Sequence, residues 1–278
     1  MRLIISAMTP ALATALSDAF DTIPDVTIAC CPFEDITDAD CMVSAANSFG
    51  LMDGGVDAAI TAYFGTQLQQ RVQQCILDDY LGEQPVGTAF VIETGNSERY
   101  PYLVHAPTMR VPLIIDGTDA VYNATRAALL AIHHHNLKAP DDKKIRSVVF
   151  PAMGAGCGRV PPERVAAQMK LAWLNACQPA KSIDWRYATE RQRTVVHASG
   201  SGVKPDWHTN IPTTPEAHCD CGCGWGGMGA DAYGAAADPE HRYFGKHTHS
   251  INPPSSLGCH DHSYFINTGE HPHGVNKK

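Results

Sequence analysis

The sequence predicts an α/β fold, a three-layer α/β/α sandwich around a mixed, largely parallel central sheet. Three observations carry that expectation. Short apolar or β-branched runs alternate with stretches of helical periodicity over residues 1–198, the order that places helices on both faces of a sheet. Each run is bounded by Gly, Pro, Asp or Asn, which end strands because they favour turns. Two of the runs lead straight into glycine-bearing loops followed by helices, and open α/β sheets bind ligands beyond such strand ends.

The strands are expected at residues 3–6, 26–31, 42–45, 87–93, 102–106 and 147–152. Between them Val56, Ile60, Phe64, Leu68, Val72 and Cys75 recur at helical spacing and predict one long helix. Val121, Ala124, Ala128 and Ile132 predict a second helix, and Val165, Met169, Ala172 and Ala176 a third. Pro162 suits the first turn of the third, where its missing N–H costs no hydrogen bond. His133, His134 and His135 end the second helix. Consecutive helical side chains point about 100° apart, so they read as a solvated terminus rather than a metal site. Trp185 and Tyr187 are expected to pack a further helix.

At 278 residues the chain suits one large domain, or one domain with an appendage. No stretch approaches the roughly 18 apolar residues of a membrane span. The start of the chain lacks the basic leader and continuous apolar run of a secretory signal, so a cytoplasmic location is expected. A net charge of −8 argues against nucleic acid, whose phosphates call for clustered Lys and Arg. In a reducing compartment the cysteines are thiols or metal ligands rather than disulfides. Cys30, Cys31, Cys41, Cys75, Cys157 and Cys177 lie in apolar segments and read as small core residues.

Composition divides the chain into a folded domain, residues 1–198, and an extension, residues 199–278. From Gly200 onward eight residues represent Val, Ile, Leu and Phe, against twelve Gly, seven Pro, nine His and four Cys. Such a segment is either disordered or clipped by metal. Cys219, Cys221, Cys223 and Cys259, with His260 and His262, are the candidate ligands of a structural zinc, which prefers four N or S donors.

Two segments carry the chemistry. Ser44-Ala45-Ala46-Asn47-Ser48-Phe49-Gly50-Leu51-Met52-Asp53-Gly54-Gly55-Val56-Asp57 runs from a strand end through a loop into a helix, so backbone amides at the helix N-terminus can face an anion. Phe150-Pro151-Ala152-Met153-Gly154-Ala155-Gly156-Cys157-Gly158-Arg159 repeats the plan, and glycines at alternate positions allow consecutive amides to form an anion nest. Neither has the Gly-Lys-Ser/Thr ending of a P-loop or a dinucleotide fingerprint. Together they suggest a diphosphate held between two loops.

These segments resemble the macrodomain family. The first is similar to its Asn-Ala-Ala-Asn signature with a glycine run ending in Gly-Val-Asp, and the second to its Phe-Pro-Ala-x-x-x-Gly phosphate loop. Glu34-Asp35-Ile36-Thr37 resembles the Gly-Asp-Ile-Thr segment before the signature, and Val104-His105 the strand before the third loop. The resemblance covers roughly residues 1–177 and implies a macrodomain over 1–198 that binds ADP-ribose or an ADP-ribosylated protein. It implies that Asp35 accepts from the adenine amino group beside the Ile36 amide, and that Asn47 and Asp57, the candidate catalytic pair, sit at the distal ribose. Gly54, Gly55 and Val56 would then face the diphosphate and distal ribose from one side, and Gly154, Ala155, Gly156, Cys157 and Gly158 the diphosphate from the other. Arg159 would reach a phosphate. Ser44, a candidate ligand-binding residue, stands where the family has an asparagine that helps to position the distal ribose, and Gly154-Ala155-Gly156-Cys157-Gly158 departs from Ser-Thr-Gly-Ile-Tyr. The expected activity is hydrolysis of ADP-ribosyl linkages on proteins or of ADP-ribose derivatives, with no catalytic cofactor. The alternative is a non-catalytic ADP-ribose reader with a zinc-binding interaction tail.

Overall fold

The computed structural model describes residues 1–95 and 99–202, all within the first compact unit of the chain. Its strands are β1 (Arg2–Ser6), β2 (Val26–Ala29), β3 (Cys41–Asn47), β4 (Phe90–Glu93), β5 (Tyr102–Met109) and β6 (Ser147–Pro151). Its helices are α1 (Pro10–Phe20), α2 (Gly55–Phe64), α3 (Thr66–Tyr80), α4 (Ala120–Lys138), α5 (Pro162–Cys177) and α6 (Trp185–Ser199). Cys219, Cys221, Cys223, Cys259, His260 and His262, the candidate zinc ligands, lie outside the described residues.

The strands form one sheet in the order β2-β1-β6-β3-β5-β4. All pairings are parallel except that of β4, which runs antiparallel to β5 at the edge. The expected mixed, largely parallel sheet is therefore present. Side chains alternate across it, as strand geometry requires. Leu3, Ile5, Val43, Val104, Val148 and Phe150 pack on one face with Leu16 of α1, Ala128 of α4 and Met169 of α5. Ile4, Met42, Leu103 and Val149 pack on the other with Ile60 of α2 and Val72 and Ile76 of α3. Both faces are covered, which is why the central strands read as continuous apolar runs.

Three elements differ from the sequence reading. The single helix expected through residues 56–75 breaks into α2 and α3 at Gly65, whose φ of 88° leaves the helical region. Apolar spacing survives the break because both halves bury the same face against the sheet. The apolar start of the chain, Leu3 to Leu16, is interrupted in the sequence by Thr9 and Pro10, yet Pro10–Phe20 forms α1, a helix that the sequence reading lacks. Thr9 accepts the Leu12 N–H at 3.3 Å and Pro10 occupies the first turn, so the residues that looked like breaks are its cap. Trp185 opens α6 but is 56% exposed rather than packed, and Tyr187 carries the Arg191 guanidinium over its ring at 5.1 Å. α6 instead packs through Val195, in a cluster with Ala172 of α5 and Tyr122 of α4. Pro162 does open α5. His133 and His134 are exposed near the end of α4, while His135 contacts the Tyr102 ring and the Lys143 carbonyl.

Candidate functional site

The carboxyl ends of β1, β3, β5 and β6 open onto one cleft of about 500 Å³, lined among others by Ser6, Asn47, Thr108 and Pro151. A parallel sheet brings all four ends to the same edge, which is why the site forms there. At the end of β3 the register with β5 slips, Ala46 facing Pro107 and Asn47 facing Met109. Pro107 has no N–H for the ladder, and the extra residue re-aims the strand end as a bulge does.

The loop after β3 is held by Asn47. Its Oδ1 accepts from the N–H groups of Phe49 (3.1 Å) and Leu51 (3.2 Å), and its Nδ2 donates to the Leu51 carbonyl at 2.7 Å. The chain then enters α2 through Gly54, which caps the helix with no side-chain hydrogen bond. The first-turn amides of Gly55, Val56 and Asp57 accordingly donate to no protein acceptor among the described residues, and they meet the cleft. A Cβ built on Gly54 or Gly55 would touch nothing within 4 Å. Backbone and open space coincide, the condition for an anion to approach a helix N-terminus.

The loop after β6 supplies a second set of donors. Gly156, Cys157 and Gly158 line the cleft and their amides make no hydrogen bond to the described residues. Gly154 and Gly158 shape the loop by close packing. A Cβ on Gly154, at φ 76°, would lie 2.7 Å from Val121 Cγ2, and one on Gly158 would lie 2.5 Å from the Gly154 carbonyl oxygen. Gly156 has open space around it. β3 and β6 are adjacent in the sheet, so the two donor rows follow neighbouring strand ends.

Asp57 stands in the first turn of α2 and is 4% exposed, where it lines the cleft. Burial pushes its pKa from 3.8 up to about 6, against the lowering effect of the hydrogen bond donated by Ser44, and Asp53 adds a further rise. The Ser44 hydroxyl donates to Asp57 Oδ1 at 2.5 Å. Ser44 is fully buried and does not line the cleft: it supports Asp57 from beneath.

These features coincide with what known proteins share. Residues 43–169 match the Macro domain family. An uncharacterized protein of Aquifex aeolicus is 35% identical over 51% of this chain and 76% of its own length. A macro domain-containing protein from the gbd 3' region of Cupriavidus necator is 34% identical over 54% of this chain and 82% of its own. The chain belongs to the macrodomain family. Among solved structures, the Oceanobacillus iheyensis macrodomain with ADP aligns at a TM-score of 0.42 and 21% identity, over 57% of this chain and 84% of that one. The macrodomain of Mycobacterium tuberculosis DarG aligns at 0.42 and 20% identity, over 50% and 83%.

Of the residues singled out in the sequence, the macrodomain cleft gathers Asn47, Gly54, Gly55, Val56, Asp57, Gly154, Ala155, Gly156, Cys157 and Gly158. It leaves others aside. Asp35 is exposed on a 3₁₀ turn, and the Ile36 N–H donates to the Phe33 carbonyl at 3.0 Å, so that amide is already engaged. Phe33 and Glu34, to which the sequence reading assigns no ligand contact, line the cleft instead. The turn is clamped from behind, the Tyr100 hydroxyl meeting the carbonyls of Phe33 and Ile36 and Arg99 donating to those of Glu34 and Ile36. Arg159 is exposed, at φ 51°, and does not line the cleft. Ser6, Met8 and Thr108 are among the further residues of its walls. Their position at strand ends was the available signal, but the strand ends themselves had to be placed first. Among the described residues no three His, Cys, Asp or Glu side chains group as a metal site, and no helix is long and apolar enough to cross a membrane.

Proposed function

We propose that this macrodomain binds ADP-ribose in the cleft and hydrolyses an ADP-ribosyl linkage on a protein or on an ADP-ribose derivative. The carrying observation is the pair of free amide rows, Gly55–Asp57 and Gly156–Gly158, at neighbouring strand ends of one cleft. Two such rows suit a diphosphate, whose oxygens accept from both sides. Family membership, through a family whose members bind ADP-ribose, supports the same ligand.

Asp57 supplies the chemistry in this reading. A carboxyl with its pKa near 6 is ionised at neutral pH yet basic enough to accept a proton from water. Beside bound diphosphate it orients that water toward the anomeric carbon of the distal ribose, and the amide rows hold the substrate still while the bond breaks. A second reading, a reader without chemistry, is favoured by one observation: both ends of the Asn47 amide are engaged with the loop backbone.

Mono-ADP-ribosylated protein separates the two. Hydrolysis predicts release of ADP-ribose that Asp57→Ala slows by about a hundredfold or more, with the affinity for free ADP-ribose kept within a few-fold. Tight ADP-ribose binding with no turnover of carboxylate-linked, arginine-linked or O-acetyl substrates selects the reader.

A further inference from the structure

Behind Asp57 the sheet buries a polar chain that the cleft does not use. Ser44 on β3 pairs directly with His105 on β5, and cross-strand partners share a face of the sheet. His105 is fully buried and stacked on Phe90 at 5.3 Å. Its Nδ1 lies 2.6 Å from Gln84 Oε1. Gln84, also fully buried, donates from Nε2 to Thr88 Oγ1 at 3.2 Å, and the Thr88 hydroxyl donates to the Pro85 carbonyl at 2.7 Å. Facing an amide oxygen, Nδ1 must carry the ring proton. Nε2 is then a bare lone pair, and it is buried without a hydrogen-bond partner.

A buried unpaired acceptor costs free energy, and a small rearrangement exchanges it for a donor that the Ser44 hydroxyl oxygen can satisfy through a water. The two ends of a glutamine amide have nearly the same shape, so Gln84 can turn end for end if its 2.6 Å contact with Nδ1 lengthens by a few tenths of an ångström. Its NH₂ then donates to Nδ1 and its oxygen accepts from the Thr88 hydroxyl. The Pro85 carbonyl keeps the Thr88 N–H at 3.2 Å. The ring proton moves to Nε2, and that end of the ring gains a donor where it had an orphan. Ser44 Oγ, whose own proton goes to Asp57, has free lone pairs to accept from that water.

We propose that His105 is a positioning residue for Asp57, its Nε2–H reaching Ser44 Oγ across one buried water that accepts from the ring and donates to the hydroxyl oxygen, in a chain Thr88–Gln84–His105–Ser44–Asp57. The donation orients the Ser44 hydroxyl so that it holds one oxygen of Asp57 and leaves the other toward the cleft. His105 itself touches no ligand and remains neutral, since burial pushes its pKa from 6.5 down to about 3. This role rests on the hydrolase reading for its consequence, though not for its geometry.

The geometry is tested without turnover. Long-range proton–nitrogen correlation on histidine-labelled protein should show His105 with a protonated Nε2 and a bare Nδ1, unchanged from about pH 5 to 9 because the ring stays neutral. Ser44→Ala should move the Nε2 resonance far more than Nδ1. A protonated Nδ1, or an Nε2 indifferent to Ser44→Ala, overturns the proposal. Its consequence is tested with His105→Phe, which keeps a flat ring and removes the donor. Expected is a fall in kcat for ADP-ribose release of about ten- to a hundredfold, with KM and the Kd for ADP-ribose held within twofold. A kcat equal to wild type in a folded His105→Phe protein overturns the positioning role. Absence of turnover in the wild type instead sinks the hydrolase reading, while the nitrogen shifts still decide the hydrogen-bond chain.

Discussion

The Ser44 hydroxyl donates to Asp57 Oδ1 at 2.5 Å, between two residues that are 0% and 4% exposed. β3 delivers Ser44 and the first turn of α2 delivers Asp57, thirteen residues later. The bond gives the carboxyl a fixed direction where little water reaches it. It also opposes the burial that lifts the pKa of Asp57 to about 6.

That raised pKa has a stability consequence with a definite sign. The folded state holds the Asp57 proton up to about pH 6, whereas the unfolded chain releases it near 3.8. Stability from this group is therefore full below 3.8 and is lost as pH rises to about 6, a cost on the order of 3 kcal/mol at neutral pH. Asp57→Asn, which carries no charge to desolvate, should be more stable than wild type at pH 7.5 by about 1–3 kcal/mol, and equal to it near pH 3.5. Urea unfolding at the two pH values measures this; a wild type that gains stability relative to the variant on going from pH 3.5 to 7.5 would contradict it.

Ser44→Ala should act in the opposite direction. It leaves a buried carboxylate without its donor, and about 1–3 kcal/mol of stability should be lost at pH 7.5. The pKa of Asp57 should rise further, since Ser44 is what lowers it. A carbon-detected titration of the Asp57 carboxyl reads that shift, and a fall in pKa would refute the assignment of the bond.

The glycines of the second loop should separate by role. Gly156→Ala meets open space and should fold with near wild-type Tm, yet lose ADP-ribose affinity by about tenfold or more as its methyl enters the cleft. Gly158→Ala drives a Cβ to 2.5 Å from the Gly154 carbonyl and should cost about 2 kcal/mol or more of stability. Thermal denaturation beside calorimetry distinguishes them. Equal losses of Tm would mean that the loop does not pack as described.

Gly65 should be needed for its backbone rather than its space. Nothing lies within 4 Å of a Cβ placed there, but φ is 88°. Gly65→Ala should cost about 1–2 kcal/mol through strain alone, leaving ADP-ribose affinity unchanged. A neutral substitution would show that α2 and α3 can join as the single helix their spacing suggests.

The zinc proposal for Cys219, Cys221, Cys223 and Cys259 makes a chemical prediction. Protein prepared without metal-affinity resin should contain near-stoichiometric zinc by elemental analysis, and a chelator should expose residues after Gly200 to protease while ADP-ribose binding by the first unit survives. Protein free of zinc whose extension resists protease would refute it.

Much of the fold was legible in residues 1–198 because its signals are local. Strand runs, turn residues and the Pro162 cap act over a few neighbours, so all six strands and α4 and α5 can be read in order. The two glycine loops were legible for the same reason, since each couples a strand end to a helix start in consecutive residues. α1 was missed because its cap, Thr9 and Pro10, looks like an interruption until the helix behind it is seen.

What the sequence alone determined is which residues gather at the cleft: Asn47, Asp57 and the glycines that keep side chains out of the way of backbone donors. What the tertiary structure alone decided is what each of them faces. Ser44 became a support for Asp57 rather than part of the cleft wall, Asn47 a brace for its own loop, and Asp35 an exposed residue beside a turn whose Glu34 lines the cleft. His105 became the register partner of Ser44 across sixty intervening residues. Such relations depend on strand order, and strand order is set by the burial of both sheet faces at once, a sum over the whole core that no local window of sequence contains.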